Sequence, residues 1–449
     1  MIFDFIEIDR NKKEALFLQI YYSIKNAIIS GSIEEGTSLP SIRQASRELE
    51  VSKTTIENAY SRLCAKGFLE SKPQSSYIVR RPNLPKKDDS FQKNKKDSFI
   101  FDFSSGKTDI NENDLAIWKR KIRKILNDKE SIISYGEPQG EYELREAISK
   151  YSFSARGVVS TEENIVIGAG TQILLSLFCS LCDKSVSVAI AYPGFKQAER
   201  IFEDFGIKVI YIDAKSDIPL DLQLELSGAK IYIDIPSTRS SQTISQRKEE
   251  RRLLLEWVRR KENRLIIEDD YNGELRYKAR QIASIQALDQ EKIIYLGSFS
   301  NLLLPSIRIA YMVLPKALMK IYKKRIGFYN QTASKIEQLA LAEYIKEGKL
   351  EAHLKKLKKL YSDKYKVLMS AISNHIKIDG EIALLETSLT VNFRLKTKAS
   401  DEKINSLAQK RGINLGGVRE KVVSLNFSGI ELSKIEDAIR ELAIAWSEI

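Results

Sequence analysis

Ser298-Phe299-Ser300-Asn301-Leu302-Leu303-Leu304-Pro305-Ser306-Ile307-Arg308-Ile309-Ala310-Tyr311-Met312-Val313-Leu314-Pro315 is the stretch from which the fold is read. An apolar run, Ile293 to Leu296, precedes it, and another, Ile309 to Leu314, closes it; both read as strands buried on two faces. Two serines and an arginine, Ser298, Ser300 and Arg308, therefore sit in a turn between core strands, where hydroxyls and a planar guanidinium can surround one phosphate. Asn301 stands among them, and a carboxamide cannot serve as an amine nucleophile.

Working outward, apolar runs recur at Ile165 to Ile167, Val186 to Ala191, Val209 to Ile212, Ile231 to Ile235 and Leu265 to Ile267, with helical stretches between them. Such alternation predicts an α/β fold, a mainly parallel sheet covered by helices on both faces, over 99–315. Over 316–449, long amphipathic helices (Lys335 to Lys346, Leu350 to Ser373) precede strands near Leu389 to Leu395 and Val422 to Phe427 and a last helix from Ser433, which predicts a small α+β domain.

The chain has 449 residues, room for two or three domains, and 43% hydrophobic with 29% charged content describes a soluble globular protein. No apolar run approaches a membrane span, and Met1 to Arg10 carries acids where a signal peptide would carry bases, so the expected location is the cytoplasm. Three cysteines do not make a disulfide framework, and Cys179 and Cys182, a C-x-x-C, fall in an apolar helix and read as core. Two histidines, His353 and His375, each beside lysine-rich helical sequence, argue against a metal site. The net charge of +12 is compatible with nucleic acid, so the position of the charge has to decide.

The position is informative in the first 80 residues. Ile20, Ile24, Ala27 and Ile28 mark one helix face ended by Gly31; a second helix starts near Ser41, and a third follows the break at Val51-Ser52. Gly67 stops the third helix, and Phe68 to Val79 reads as a hairpin, so 1–80 is a winged helix-turn-helix. The third helix would read double-stranded DNA with Ser52, Lys53, Thr54 and Thr55 in its first turn, assisted by Arg43, Arg62 and Lys72 at the wing. Residues 81–98, with Pro82, Pro85 and paired charges, read as a tether.

Leu39-Pro40-Ser41 with Arg43, then Val51-Ser52-Lys53 with Ala59-Tyr60, then Gly67-Phe68-Leu69 resemble the three motifs of GntR-family regulators, with Lys53 where an arginine is usual. The remainder resembles fold-type I pyridoxal-phosphate (PLP) enzymes, and the whole resembles the MocR-type subgroup that joins the two. The resemblance implies that Gly168 to Gln172, a strand-glycine-helix junction containing Gly170, Thr171 and Gln172, cups the cofactor phosphate together with Ser298, Ser300 and Arg308. It also implies that Phe195 stacks on the pyridine, that Asp269 pairs with the ring nitrogen and Tyr271 with the ring oxygen, and that Tyr135 to Gly140 forms a turn near the pocket. Asn301 occupies the position of the lysine that forms the Schiff base. The Pro236 to Thr243 loop lacks the family's imidazole, and Gly429 stands where some members place a carboxylate-binding arginine.

These readings lead to a DNA-binding transcription regulator whose degenerate aminotransferase-like domain binds a small-molecule effector, PLP held without a covalent bond or another phosphorylated or anionic ligand, with no metal. A homodimer is implied, and no membrane partner. A ligand-free dimerisation scaffold and a PLP-dependent aminotransferase are the alternatives.

Overall fold

Apolar residues at helical spacing fold Leu16–Ser30 into α1, which ends at Gly31 with φ of 84°, a left-handed turn that glycine adopts without strain. Ser41 caps α2 (Ile42–Glu48) and Ser52 caps α3 (Lys53–Ala65), each side chain accepting from a backbone N–H three residues on. The hairpin strands β2 (Leu69–Ser71) and β3 (Tyr77–Val79) are joined by a strand not expected from the sequence, β1 (Ser38–Leu39), which pairs antiparallel with β3. Two residues carry too little pattern to announce a strand. Tyr60, fully buried, donates its hydroxyl to the Pro40 carbonyl at 3.0 Å and so locks α3 to the α2 entrance.

The computed structural model describes residues 3, 6, 8–12, 14–71, 77–81, 99–104, 106–183, 185–192, 195–213, 216–236, 244–275, 283–383 and 389–449. It divides into two units, Met1–Asp97 and Ser98–Ile449. The first has its own core, in which Ile20, Ile24, Ile56, Tyr60 and Leu63 meet.

The second unit begins with β4 (Phe101–Asp102), α4 (Glu112–Asn127), α5 (Lys129–Ile132) and α6 (Tyr142–Arg156). Strands and helices then alternate: β5 (Ile165–Gly168), α7 (Thr171–Leu181), β6 (Ser187–Tyr192), α8 (Lys196–Asp204), β7 (Lys208–Asp213), α9 (Leu220–Ser227), β8 (Ile231–Asp234), α10 (Ile244–Arg259) and β9 (Leu265–Asp269). Strands β10 (Ile293–Ser298) and β11 (Ala310–Val313) complete a seven-stranded sheet of order β5-β11-β10-β9-β8-β6-β7. Neighbours from β10 to β7 pair in parallel, and β11 alone runs against its two neighbours. The fold is therefore the mostly parallel sheet that the alternation predicts.

Side chains of successive residues leave opposite faces of a strand, so Ile165 and Ile167 enter one core while Val166 enters the other. Both faces are covered, which is why these strands are apolar throughout.

Helices α11 (Lys316–Arg325), α12 (Lys335–Lys346) and α13 (Lys349–His375) lead to β12 (Gly380–Ala383), β13 (Thr390–Leu395), α14 (Asp401–Lys410), β14 (Ile413–Asn414), β15 (Val418–Arg419), β16 (Val422–Asn426) and α15 (Ile435–Trp446). Here β12, β13, β16 and β15 form a second sheet. β4, some three hundred residues earlier, pairs with β14, so the start of the second unit is bonded to its C-terminal part. Among the described residues no helix is long and apolar enough to cross a membrane.

Candidate functional site

Parallel strands send all their carboxyl ends to one edge of the sheet, and the segments that leave there enclose a crevice. Five strands contribute: β5 leads into Gly170 and Thr171, β6 towards Phe195, β8 into Ile235, β9 ends at Asp269 and β10 at Ser298. Arg308 precedes the antiparallel β11 and so reaches the same edge from the opposite chain direction. The resulting cavity, of about 450 Å³, is lined by Gly170, Thr171, Phe195, Asp269, Tyr271, Ser298, Ser300, Asn301 and Arg308.

The Gln172 side chain is exposed and not part of that lining, so what Gln172 could offer the cup is its backbone N–H in the first turn of α7. It follows Thr171 on α7, and one residue turns a helix by about 100°. Gln197 and Ile235 line the cavity and were not singled out from the sequence; neither belongs to a local motif. Pro193, Gly194 and 237–243 lie outside the described residues.

The turn between β10 and β11 is pinned at its base by Phe299 N donating to the Ile309 carbonyl at 3.0 Å. Within it Arg308 adopts φ of 51°, left-handed and uncommon for a side chain of this size. That backbone delivers the guanidinium to Gly170: a Cβ added at Gly170 would lie 2.5 Å from Arg308 Nη2, and Gly170 itself has φ of +98°. Only glycine permits both the turn and the approach. Arg308 Nη1 also donates to Ser300 Oγ at 3.4 Å, and Ser300 N to Ser298 Oγ at 3.3 Å. A guanidinium, two hydroxyls and the N-terminus of α7 thus converge, the donor set of an anion site.

At the other wall three consecutive acids diverge. Glu268 accepts from the Ser284 hydroxyl and from the backbone N–H of Ile285 and Gln286. Asp270 is paired with Arg156 at 2.6 Å, both fully buried, and accepts from the Tyr295 hydroxyl at 3.2 Å. Gly273 leaves room for that pair, since a Cβ there would stand 2.3 Å from Asp270 Oδ1 and 2.6 Å from Arg156 Nε.

Asp269 alone of the three faces the cavity, only 2% exposed, and its Oδ1 has no hydrogen-bond partner among the described residues. Burial, followed by the Asp270 charge, pushes its carboxyl up to about 7. A cationic ring nitrogen is the partner such an atom lacks. Together with the anion cup, this donor and acceptor set fits a phosphorylated pyridine. Asn301 donates from Nδ2 to Asn272 Oδ1 at 2.9 Å, and no lysine is among the described lining residues.

In the first unit Arg43, Ser52, Lys53 and Thr54 are exposed, on α2 and at the start of α3. The Ser52 hydroxyl accepts from Thr55 N at 3.1 Å and pairs with the half-buried Thr55 hydroxyl at 2.8 Å, so Ser52 and Thr55 cap the helix while Lys53 and Thr54 point outward. Arg62 lies over the Tyr21 ring at 5.4 Å. Lys72 and the wing tip 73–76 lie outside the described residues. Burial pushes the Cys179 and Cys182 thiols up to about 12, the Cys182 sulfur adding to the effect on Cys179, which keeps that pair from being reactive thiolates. Among the described residues no group of acids, histidines and cysteines could hold a metal ion.

The family described as Aminotransferase class I and II matches residues 100–420, and Bacterial regulatory proteins, gntR family, matches 16–79. Over 464 aligned residues, 98% of each chain, the sequence is 32% identical to the uncharacterized HTH-type transcriptional regulator YdeL of Bacillus subtilis (strain 168). It is 25% identical over 471 residues, 98% of this chain and 95% of the other, to the probable rhizopine catabolism regulatory protein MocR of Rhizobium meliloti. Among solved structures, an archaeal alanine:glyoxylate aminotransferase shares the fold with a TM-score of 0.68 at 22% identity, over 78% of this chain and 91% of that one.

Proposed function

Since the chain belongs to the class I and II aminotransferase family and is a GntR-family helix-turn-helix transcriptional regulator, we propose that its aminotransferase-like unit binds a phosphorylated pyridine without turning it over. The observation that carries this reading is Asn301: an amide engaged with Asn272 on the wall of a cavity that keeps its anion cup and its unpartnered carboxyl. Arg308, Ser298, Ser300 and the α7 N-terminus at Gly170 and Thr171 would hold the phosphate. Phe195 would cover the ring, Asp269 would take the ring nitrogen and Tyr271 the ring oxygen.

PLP, when bound, supplies an electron-accepting ring and an aldehyde. Transamination also needs an amine that exchanges with the substrate's and shuttles its proton. Asn301 offers neither, so the site holds and reports its ligand, and the protein is not an enzyme.

Arg43, Lys53 and Thr54 would contact DNA, with Lys53 a point charge for phosphate rather than a fork for guanine. The working form would be a cytoplasmic homodimer. Ile133, Tyr135 and Phe328, 70%, 94% and 86% exposed, stand on neighbouring segments bridged by Lys335 Nζ to Ser134 Oγ at 2.8 Å and Gln331 Nε2 to the Pro138 carbonyl at 3.2 Å. Large apolar groups so exposed mark a surface that another chain covers.

The test mixes PLP with the native protein and with Asn301→Lys, reduces with borohydride and maps the label. Label at position 301 in the variant alone is expected; specific label on a cavity lysine of the native protein, or measured amine transfer by it, defeats the proposal. A gel shift on DNA upstream of its own gene should be salt-sensitive and weakened by Arg43→Ala.

A further inference from the structure

We infer that the cavity selects the aminomethyl form of the phosphorylated pyridine over the aldehyde form, through the orientation that Asn272 imposes on Asn301. This rests on the phosphopyridine reading of the cavity and specifies which form it takes.

Asn272 lies three residues past Asp269, and Asn301 three past Ser298. β9 and β10 are parallel, with Leu296 opposite Asp269, so both loops leave the same edge of the sheet and their amides meet. Asn301 Nδ2 donates to Asn272 Oδ1 at 2.9 Å. Asn272 is 6% exposed, whereas Asn301 is on the cavity wall. A carboxamide whose NH₂ is engaged behind the wall offers its oxygen to the cavity. Acceptors therefore stand at two places, Asn301 Oδ1 and Asp269 Oδ1, and donors at the third, around Arg308.

A ligand matching that pattern carries a phosphate at one end and N–H donors at two other positions. A protonated ring nitrogen satisfies Asp269. At the substituent beside Asn301, an ammonium donates a charge-assisted bond to the amide oxygen. An aldehyde there sets an acceptor against the amide oxygen, and it gains a donor only by reaching the second Nδ2 hydrogen or by turning the amide over at the cost of its bond to Asn272. The lysine position has thus changed from a group that bonds the aldehyde to one that prefers the amine, and the binding makes and breaks no covalent bond.

The experiment titrates the full-length protein calorimetrically with pyridoxamine 5′-phosphate, pyridoxine 5′-phosphate, pyridoxal 5′-phosphate and inorganic phosphate. The aminomethyl form is expected to bind about tenfold or more tightly than the aldehyde, with the uncharged hydroxymethyl form between them. Asn301→Asp should widen the ratio, Asn272→Ala should collapse it to within about threefold by freeing the amide to turn, and Asn301→Lys should reverse it. Equal affinities, or a tighter aldehyde, in the native protein overturn the inference while leaving the phosphopyridine reading standing. Binding of none of the three pyridines overturns that reading, and the inference with it. Should Asn272→Ala fail to fold, the native ratio and Asn301→Asp still decide.

Discussion

The raised carboxyl of Asp269 ties the stability of the fold to pH. Burial and the adjacent Asp270 charge raise it from 3.8 to about 7. A raised carboxyl keeps its proton in the folded chain while the unfolded chain releases it, so its contribution is fully present below about pH 4 and lost as the pH rises through 7. Glu268 and Glu274, each pushed up to about 7 first by burial and then by Asp270, act in the same sense. The melting temperature of the ligand-free protein is expected to fall between pH 5 and pH 8, and Asp269→Asn should recover on the order of 4 kcal/mol at pH 8 while leaving the slope due to the two glutamates. Thermal unfolding across that range measures it; a variant whose pH profile matches the native one refutes the assignment. At Gly170 the expectation is steric. Gly170→Ala places a methyl 2.5 Å from Arg308 Nη2 at a φ of +98°, and affinity for a phosphorylated ligand should drop at least about tenfold by calorimetry.

Between elements, the Arg156–Asp270 pair joins the last turn of α6 to the end of β9, the strand that presents Asp269. Removing one member leaves an unpaired buried charge, so Arg156→Met should destabilise by about 3–5 kcal/mol in urea unfolding, and Arg156→Met with Asp270→Leu by less than the single change. A single change no worse than the double would show that the pair contributes nothing to this junction. The site elements were legible because their strands are mainly apolar runs bounded by polar residues, glycine or proline. β1, two residues long, and the β4–β14 pairing were not: short strands have no period, and pairing across three hundred residues leaves no local trace.

On the scale of the molecule, residues 82–98 lie outside the described residues, and the two units each have a core. Dimerisation through the second unit would bring two reading heads to one DNA, raising affinity by about 10²–10⁴ over a single head. Ile133→Asp with Phe328→Asp should yield a monomer in sedimentation and lower operator affinity by that factor. A dimer that persists, or a monomer that binds DNA as well as the native protein, would refute the assigned surface.

The sequence alone determined the longer strands of the main sheet, the helices of the first unit and the residues that follow the strands, because apolar period, caps and glycines are local and each strand end is written beside its strand. It also determined that position 301 carries an amide. Only the tertiary structure decided that the Asp269 oxygen on the cavity is left without a partner among the described residues while Glu268 and Asp270 are engaged elsewhere, and that Asn272 holds Asn301. Those are matters of which face a side chain leaves and what a neighbouring loop brings to it, and they exist only once distant strands lie side by side.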